Sequence, residues 1–600
     1  MKDTYQPIEN YGIIGDLNTI ALAGIDGSID FMCLPDFDSP TIFGALLDRR
    51  NGGFFQISSC EENVKKKQLY IPETNILLTR FLYEDGIGEI TDFMPLESFF
   101  KKNMLIRRVK SIKGKITYRM QCCPRFDYGQ KSHKTKFNNN AIFFHSKGGF
   151  SLKLLSSIPM EVRDGDGYAE FTLKAGETVD FILQKDDNDT ISSLNDFVNA
   201  AFIHTLNFWK EWAGRLSYNG RWREMVSRSA LTLKLLISEK HGAVIAAPTF
   251  GLPEKIGGNK NWDYRFVWIR DAAFTVHALL LIGYKKEAES FMRWIQSIFE
   301  TLNRKTNIKP FYKIDGSNAE PAQLLTHFEG YRESAPVAIG NDAVNQLQLD
   351  NYGEFIDAIY LCDKYVSPIS HDMWNYLVSQ IGWLTKNWKR KDYSIWEERG
   401  KPQEFLYSRL MCWVAFDRMI KIGQSHSYPF PNSWIKERNT IFESIYKNFW
   451  SKEKGAFIQF KGSQNIDASS LLMPLIRFIS PMDPMWLSSL EYIEKNLGND
   501  CMVYRYSPST SQLFGLKKGE GTFSACSFWY IECLSRSGQL QKAEIYFDKM
   551  LSYANHVGLY SEQLGFQGEH LGNFPQAFTH LSLISAAYDL NKRLNRETNS

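Results

Sequence analysis

Six hundred residues exceed what one hydrophobic core supports, because single cores stop growing near about 250–300 residues, so the chain should divide into domains. Apolar residues at 44% and charged residues at 23% are ordinary for a globular protein and exclude wholesale disorder, collagen and coiled coil. A formal net charge of +3, from 70 basic and 67 acidic side chains, gives no overall positive field for nucleic acid.

The opening MKDTYQPIENYGIIGDLN lacks the apolar run of a secretory leader, and no stretch reaches ~18 uninterrupted apolar residues. The nine cysteines are scattered, with no recurring CxxC spacing for a disulfide or zinc framework. A cytoplasmic chain without membrane or nucleic-acid partners is the expectation, and its oligomeric state stays open.

Residues 1–195 read as β. Short runs rich in β-branched and aromatic residues (NILLTRFLY, KITYRMQC, AIFFHS, YAEFTL, VDFILQ) are broken by Gly, Asp and Asn clusters such as VRDGDGY. Close strand spacing without intervening helices predicts an antiparallel β-sandwich. Residues 196–218 continue a Ser/Asn-capped amphipathic stretch, SSLNDFVNAAFIHTLNFWKEWAGRL, and read as a linker helix.

Residues 219–600 carry about twelve helical segments, many ending at Gly as a C-cap would. They include IRDAAFTVHALLLIGY, NDAVNQLQLDNYGEFIDAIYLCDKY, EFLYSRLMCWVAFDRMIKIG, DASSLLMPLIRF and FPQAFTHLSLISAAYDLNKRL. Twelve helices suit six hairpins closed into an all-α (α/α)6 barrel, or toroid. A solenoid of helix pairs is the alternative, but no repeat period is visible.

Phosphate loops, HExxH and GxSxG are absent. Three loops before barrel helices carry the chemistry-bearing residues. In the first, Arg270 and Asp271 stand at a helix mouth behind Trp262, Tyr264 and Trp268; the pair serves either helix capping or a sugar-binding lip. In the second, Trp396 precedes Glu397 and Glu398; two acids before a helix are commonly solvated, yet a carboxyl packed beside Trp can be kept protonated to act as an acid. In the third, Glu562 lies between Ser561 and Gln563 in a Gly-studded stretch, either a plain turn or a carboxylate kept ionised as a base. Two carboxyls about 6.5–9.5 Å apart, one protonated and one not, are what inverting glycoside hydrolysis needs.

The blocks WDYRFVWIRD, HFEGYRESAPVAIGNDAVNQLQLDNYGE, IWEERG, MVYRY, EGTFSACSFW and SEQ…LGNFPQAFTHL together resemble glycoside hydrolase family 15, the glucoamylase-like inverting α-glucosidases. The opening IENYGIIGDLNTIALAGIDGSIDFMCLPDFDSPTIFGALLD resembles the β-domain of prokaryotic members, which include glucoamylases, glucodextranases and trehalases. The resemblance implies a β-sandwich before an (α/α)6 barrel with the site in the barrel mouth. It implies Glu397 as general acid, Glu562 as general base, and Tyr264, Trp268, Arg270 and Asp271 around the terminal glucose. Arg505 matches an arginine of the next sugar site; Trp396 and Glu398 flank the acid, and Arg332 belongs to a block of the same mouth.

The chain departs where many prokaryotic relatives carry IWEVRG, having Glu398 in place of Val, and where a Trp often follows SID, having Phe31. Both departures leave α-1,4, α-1,6 and α,α-1,1 linkages open. The expected activity is an exo-acting hydrolase releasing β-glucose from α-glucan oligosaccharides, without metal or cofactor. The alternative is an α,α-trehalase; a non-catalytic glucan-binding protein would have lost one of the two carboxylates.

Overall fold

A computed structural model describes residues 5–96, 103–138, 140–186, 191–301, 308–506 and 520–597. Its N-terminal part is built from two eight-stranded antiparallel sheets. Period-2 patterning makes them: burial alternates along Leu77–Tyr83 and Gly86–Phe93, so one face of each strand meets the partner sheet. Arg107, fully buried, pairs with Asp92 at 2.8 Å and donates across the gap to the carbonyl of Gly27 at 2.8 Å. A buried charge is tolerable there because each of its three nitrogens donates to a carboxylate or a carbonyl.

Helix α1 (Leu194–Ala213), N-capped by Ser193, follows the sheets. Its Trp212 stacks on Tyr284 with centroids 4.1 Å apart and donates to Glu287 at 2.7 Å, which fastens the helix to the helical domain.

That domain holds α2 (Arg223–Leu235), α3 (Ala272–Leu281), α4 (Lys285–Thr301), α5 (Asp350–Tyr365), α6 (His371–Asn387) and α7 (Leu406–His426). It continues with α8 (Ser433–Phe449), the one-turn α9 (Leu472–Leu475), α10 (Pro484–Leu497), α11 (Ser524–Arg536), α12 (Leu540–Leu551) and α13 (Ala577–Glu597). The inner helices touch in sequence, α3 to α5 to α7, then through the 3-10 turn Ala468–Leu471 and α9 to α11 and α13. Contact of α13 with α3 closes the ring, so the helical domain is an (α/α)6 toroid. Inner α7 and α11 are buried nearly all round, whereas outer α4 and α12 are strongly amphipathic.

Two segments differ from their reading as uninterrupted helices. NDAVNQLQLDNY turns at Asp342–Asn345, where Asn341 caps the Ala343 N–H, runs extended at Gln346, and becomes α5 only at Asp350. DASSLLMPLIRF yields a 3-10 turn and one α-turn, because Pro474 supplies no N–H and Arg477 is left-handed at φ 65°.

The apolar core runs unbroken from the sheets into the toroid. Hydrogen bonds cross the junction from Asn75 to the Leu231 carbonyl, from Asn555 to the Tyr11 carbonyl and from Arg265 to the Ser39 carbonyl. No helix among the described residues is long and apolar enough to cross a membrane.

Candidate active site

The segments that enter α3, α7, α11 and α13 face one another at one end of the toroid. Together they line a cavity of about 250 Å³. Ten residues singled out in the sequence meet there: Trp262, Tyr264, Trp268, Arg270, Asp271, Trp396, Glu397, Glu398, Arg505 and Glu562. Arg332 does not. It is exposed on a left-handed turn with its guanidinium over Tyr331, outside the cavity lining, which corrects its expected place in the mouth.

Two acids are fixed by one aromatic pair. Tyr264 and Trp268 meet edge to face with centroids 5.3 Å apart. The Trp268 indole N–H donates to Glu397 Oε1 at 2.7 Å, and the Tyr264 hydroxyl donates to Glu562 Oε1 at 2.6 Å. Glu397 also lies 3.6 Å from Arg270, whose guanidinium donates to the Ile395 carbonyl and approaches Asp271 at 3.8 Å. Both Ser394 and Glu397 adopt left-handed backbone, at φ 54° and 52°. Non-glycine residues held there cost of order 1 kcal/mol each and concentrate at functional sites.

Glu562 opens a hairpin whose strands are Gln563–Leu564 and His570–Leu571. Its N–H donates to the Asn573 carbonyl at 3.2 Å, and its own carbonyl accepts from Ser524 at 3.0 Å. Gly572, at φ +73°, passes so close that a Cβ there would stand 2.4 Å from Glu562 Oε2. The sequence shows a glycine before NFP; only the folded hairpin shows that a side chain there would push Glu562 aside.

Trp396 donates to Asp467 at 2.7 Å and packs against Phe523. Arg505 bonds Glu254 at 2.7 Å, pairs with Glu520, and lies over the rings of Phe523 and Trp396. Lys260 reaches Glu520 at 3.4 Å and Glu254 at 3.6 Å. Glu254, Lys260, Glu520 and the Arg399 guanidinium above Trp262 were missed by sequence reasoning. Glu254 and Lys260 sit in Gly- and Pro-rich stretches such as FGLPEKIGG, whereas Glu520 and Arg399 lie inside the blocks EGTFSACSFW and IWEERG.

Burial pushes the Glu562 carboxyl up to about 8, with Glu254 adding to it and Arg505 and the Tyr264 hydroxyl opposing it. At Glu562 desolvation outweighs the donors that favour the ionised form. Burial also raises Asp271 to about 6 against the pull of Arg270, and raises Glu398. For Glu254, Arg505 and Lys260 overcome burial and hold the carboxyl well below the usual range.

Three acceptors in this cavity are buried without a hydrogen-bond partner among the described residues: Asp271 Oδ1, Glu398 Oε1 and Glu562 Oε2. Unmatched buried acceptors between aromatic walls suit a polyhydroxylated ligand, whose hydroxyls supply the missing donors. No cluster of three or more His, Cys, Asp or Glu among the described residues has the geometry to hold a metal.

The family model of glycosyl hydrolases family 15 matches residues 220–546, and a model described as trehalase-like, N-terminal matches residues 2–151. A trehalase of Thermoplasma volcanium is 36% identical over 99% of this chain and 95% of its own length. A trehalase of Mycolicibacterium smegmatis is 32% identical over 98% of this chain and 91% of its own. A bacterial glucoamylase crystallised with acarbose superposes with a TM-score of 0.74 at 14% identity, covering 100% of this chain and 98% of that one, which shows the shared two-part fold.

Proposed function

Because this chain belongs to glycosyl hydrolases family 15 and is thereby a glycoside hydrolase of α-glucosides, we propose that it is an inverting α,α-trehalase. The observation that carries the substrate reading is the full-length similarity to trehalases of separate organisms. The expectation of α-glucan oligosaccharides as the main substrate gives way to the alternative stated beside it.

In this reading Glu397 carries the proton on Oε2, because Oε1 is engaged by Trp268. It gives that proton to the oxygen joining the two sugars, and the bond from that oxygen to the anomeric carbon breaks. A water between the sugar and Glu562 loses a proton to Oε2, the carboxylate oxygen left without a partner, and its hydroxide closes on the anomeric carbon from the opposite face. Solvent then returns the proton from Glu562 to Glu397. Arg270 and Asp271 hold hydroxyls of the attacked glucose, Tyr264 and Trp268 form its wall, and Trp396, Glu398 and Arg505 border the departing one.

Incubating the purified protein with trehalose, maltotriose and isomaltose and measuring glucose tests the proposal. Trehalose should exceed both others in kcat/KM by about 100-fold or more, the discrimination expected when buried polar groups go unpaired with the wrong substrate. Glucose from maltotriose at a rate equal to or above that from trehalose would sink it.

A further inference from the structure

Extended backbone at residues 262–265 sends alternate side chains to opposite sides. Trp262 and Tyr264 line the cavity. Asp263 and Arg265 turn the other way and are both buried. Arg265 donates to Asp263 through Nε at 2.9 Å and Nη2 at 2.7 Å. Its Nη1 donates to the Ser39 carbonyl at 2.8 Å, both terminal nitrogens reach the Tyr128 hydroxyl at 3.4 Å, and the guanidinium lies 4.3 Å above the Phe250 ring. Asp263 also accepts the Gly340 N–H at 3.1 Å. One ion pair thus ties the residues on either side of Tyr264 to the β-domain and to a barrel loop.

We infer that the Asp263–Arg265 clamp, seated on Ser39 and Tyr128 of the β-domain, is the positioning device that keeps the Tyr264 hydroxyl on Glu562. The inference rests on the reading of Glu562 as the base. Arg265 touches no substrate; it acts by fixing the backbone on which Tyr264 stands. Lysine at this place keeps the charge but loses the fork that binds Asp263 and Ser39 together.

A purely structural clamp and a positioning clamp differ in what they do to the proton affinity of Glu562. The groups facing that carboxyl are Tyr264 and Glu254 from the segment before α3, and Arg505 and Glu520 from the segments before α11. Lys260, Arg270, Asp271, Glu397, Glu398 and Arg399 line the same cavity. Of these, Tyr264 is the one that donates a hydrogen bond to Glu562 and depends on the clamp. Losing a donor to the ionised carboxylate raises its proton affinity, so the acidic limb of kcat/KM must move up.

The test is a double-mutant cycle on the full chain with trehalose, reading pH profiles for Arg265→Lys, Tyr264→Phe and the pair. The acidic limb should move up by about half a pH unit or more in each single variant, and the pair should move no further than Tyr264→Phe alone. For Arg265→Lys, kcat should fall by about 100-fold, the usual cost of a misplacement near 1 Å, with KM changed much less. An unmoved limb in Arg265→Lys, or shifts that add in the pair, overturns the inference. Should Arg265→Lys fail to fold, Tyr128→Phe removes a single hydroxyl from the clamp: a smaller shift in the same direction supports the inference, and an unchanged limb overturns it. Full activity in Glu562→Gln would instead remove the reading of the base, leaving a distinguishable result.

Discussion

Replacing Gly572 with alanine tests whether the position of Glu562 governs the chemistry. The added Cβ would stand 2.4 Å from Glu562 Oε2 and 2.8 Å from its Cβ, where ordinary contact begins at 3.4 Å. The carboxylate must therefore retreat by about 1 Å, although Tyr264 holds its other oxygen at 2.6 Å. A displacement near 1 Å in a reacting group costs about 100-fold in rate, or about 2.7 kcal/mol of barrier. The left-handed backbone at φ +73° adds about 1–2 kcal/mol of conformational cost to the folded state, which lowers Tm by about 1–2 °C in a chain of this size. Steady-state kinetics on trehalose with a thermal melt beside it separates the two effects. The expected result is a kcat about 100-fold lower in a protein that is folded at assay temperature. A kcat within twofold of wild type would refute the reasoning, because Oε2 would then have moved without consequence for the step it is said to perform.

Glu397→Gln and Glu562→Gln should each lower kcat by about 10²–10⁴ or more while the melting curve survives, checked by single-turnover assays with trehalose. With the Glu562 carboxyl raised by burial, the limb of the kcat/KM profile that it governs should lie above the range of an ordinary carboxylate, which a pH–rate series measures. Asp350 is buried with neither carboxylate oxygen bonded among the described residues, and burial first, then Asp392, lifts it to about 7 against the pull of Arg270. A folded value above the unfolded one, about 3.9, makes its contribution to stability complete below pH ~4 and lost as pH rises through ~7. Asp350→Asn should therefore raise Tm at pH 8 and leave it nearly unchanged near pH 4, as calorimetry at both values would show.

Much of the toroid is legible in local sequence because a helix declares itself within a dozen residues. The apolar faces of α4 and α12 follow from spacing alone. The start of α5 is not legible, since the stretch from Asn341 has helical composition and its turn depends on a cap and on packing against loops far away in the chain. Nor does spacing reveal closure: contact between α13 and α3 joins segments some 300 residues apart, which only the folded ring brings together. At the site, WIRD, WEE and SEQ stand out because charged residues beside aromatics are costly unless they have partners or work. The partners themselves, Glu254, Glu520 and Lys260, look like ordinary loop charges until Arg505 is placed among them. Glu562 shows the same limit: the carboxylate is readable, but its Tyr264 donor and the burial that outweighs that donor are properties of the assembled cavity. Arg332 illustrates the converse, a residue in a recognisable block whose left-handed turn carries its side chain to solvent.

The central claim is that Glu397 protonates the oxygen between the two sugars while Glu562, on the opposite face, activates a single water. Trehalose makes that claim directly measurable, since both of its glucose units are α-linked through their anomeric carbons. Proton NMR of the glucose formed in the first minutes, before mutarotation, should show equal amounts of α- and β-anomer: the attacked unit inverted, the departing unit unchanged. Glucose appearing as the α-anomer alone would contradict the account, because it would require two displacements where this site is described as performing one.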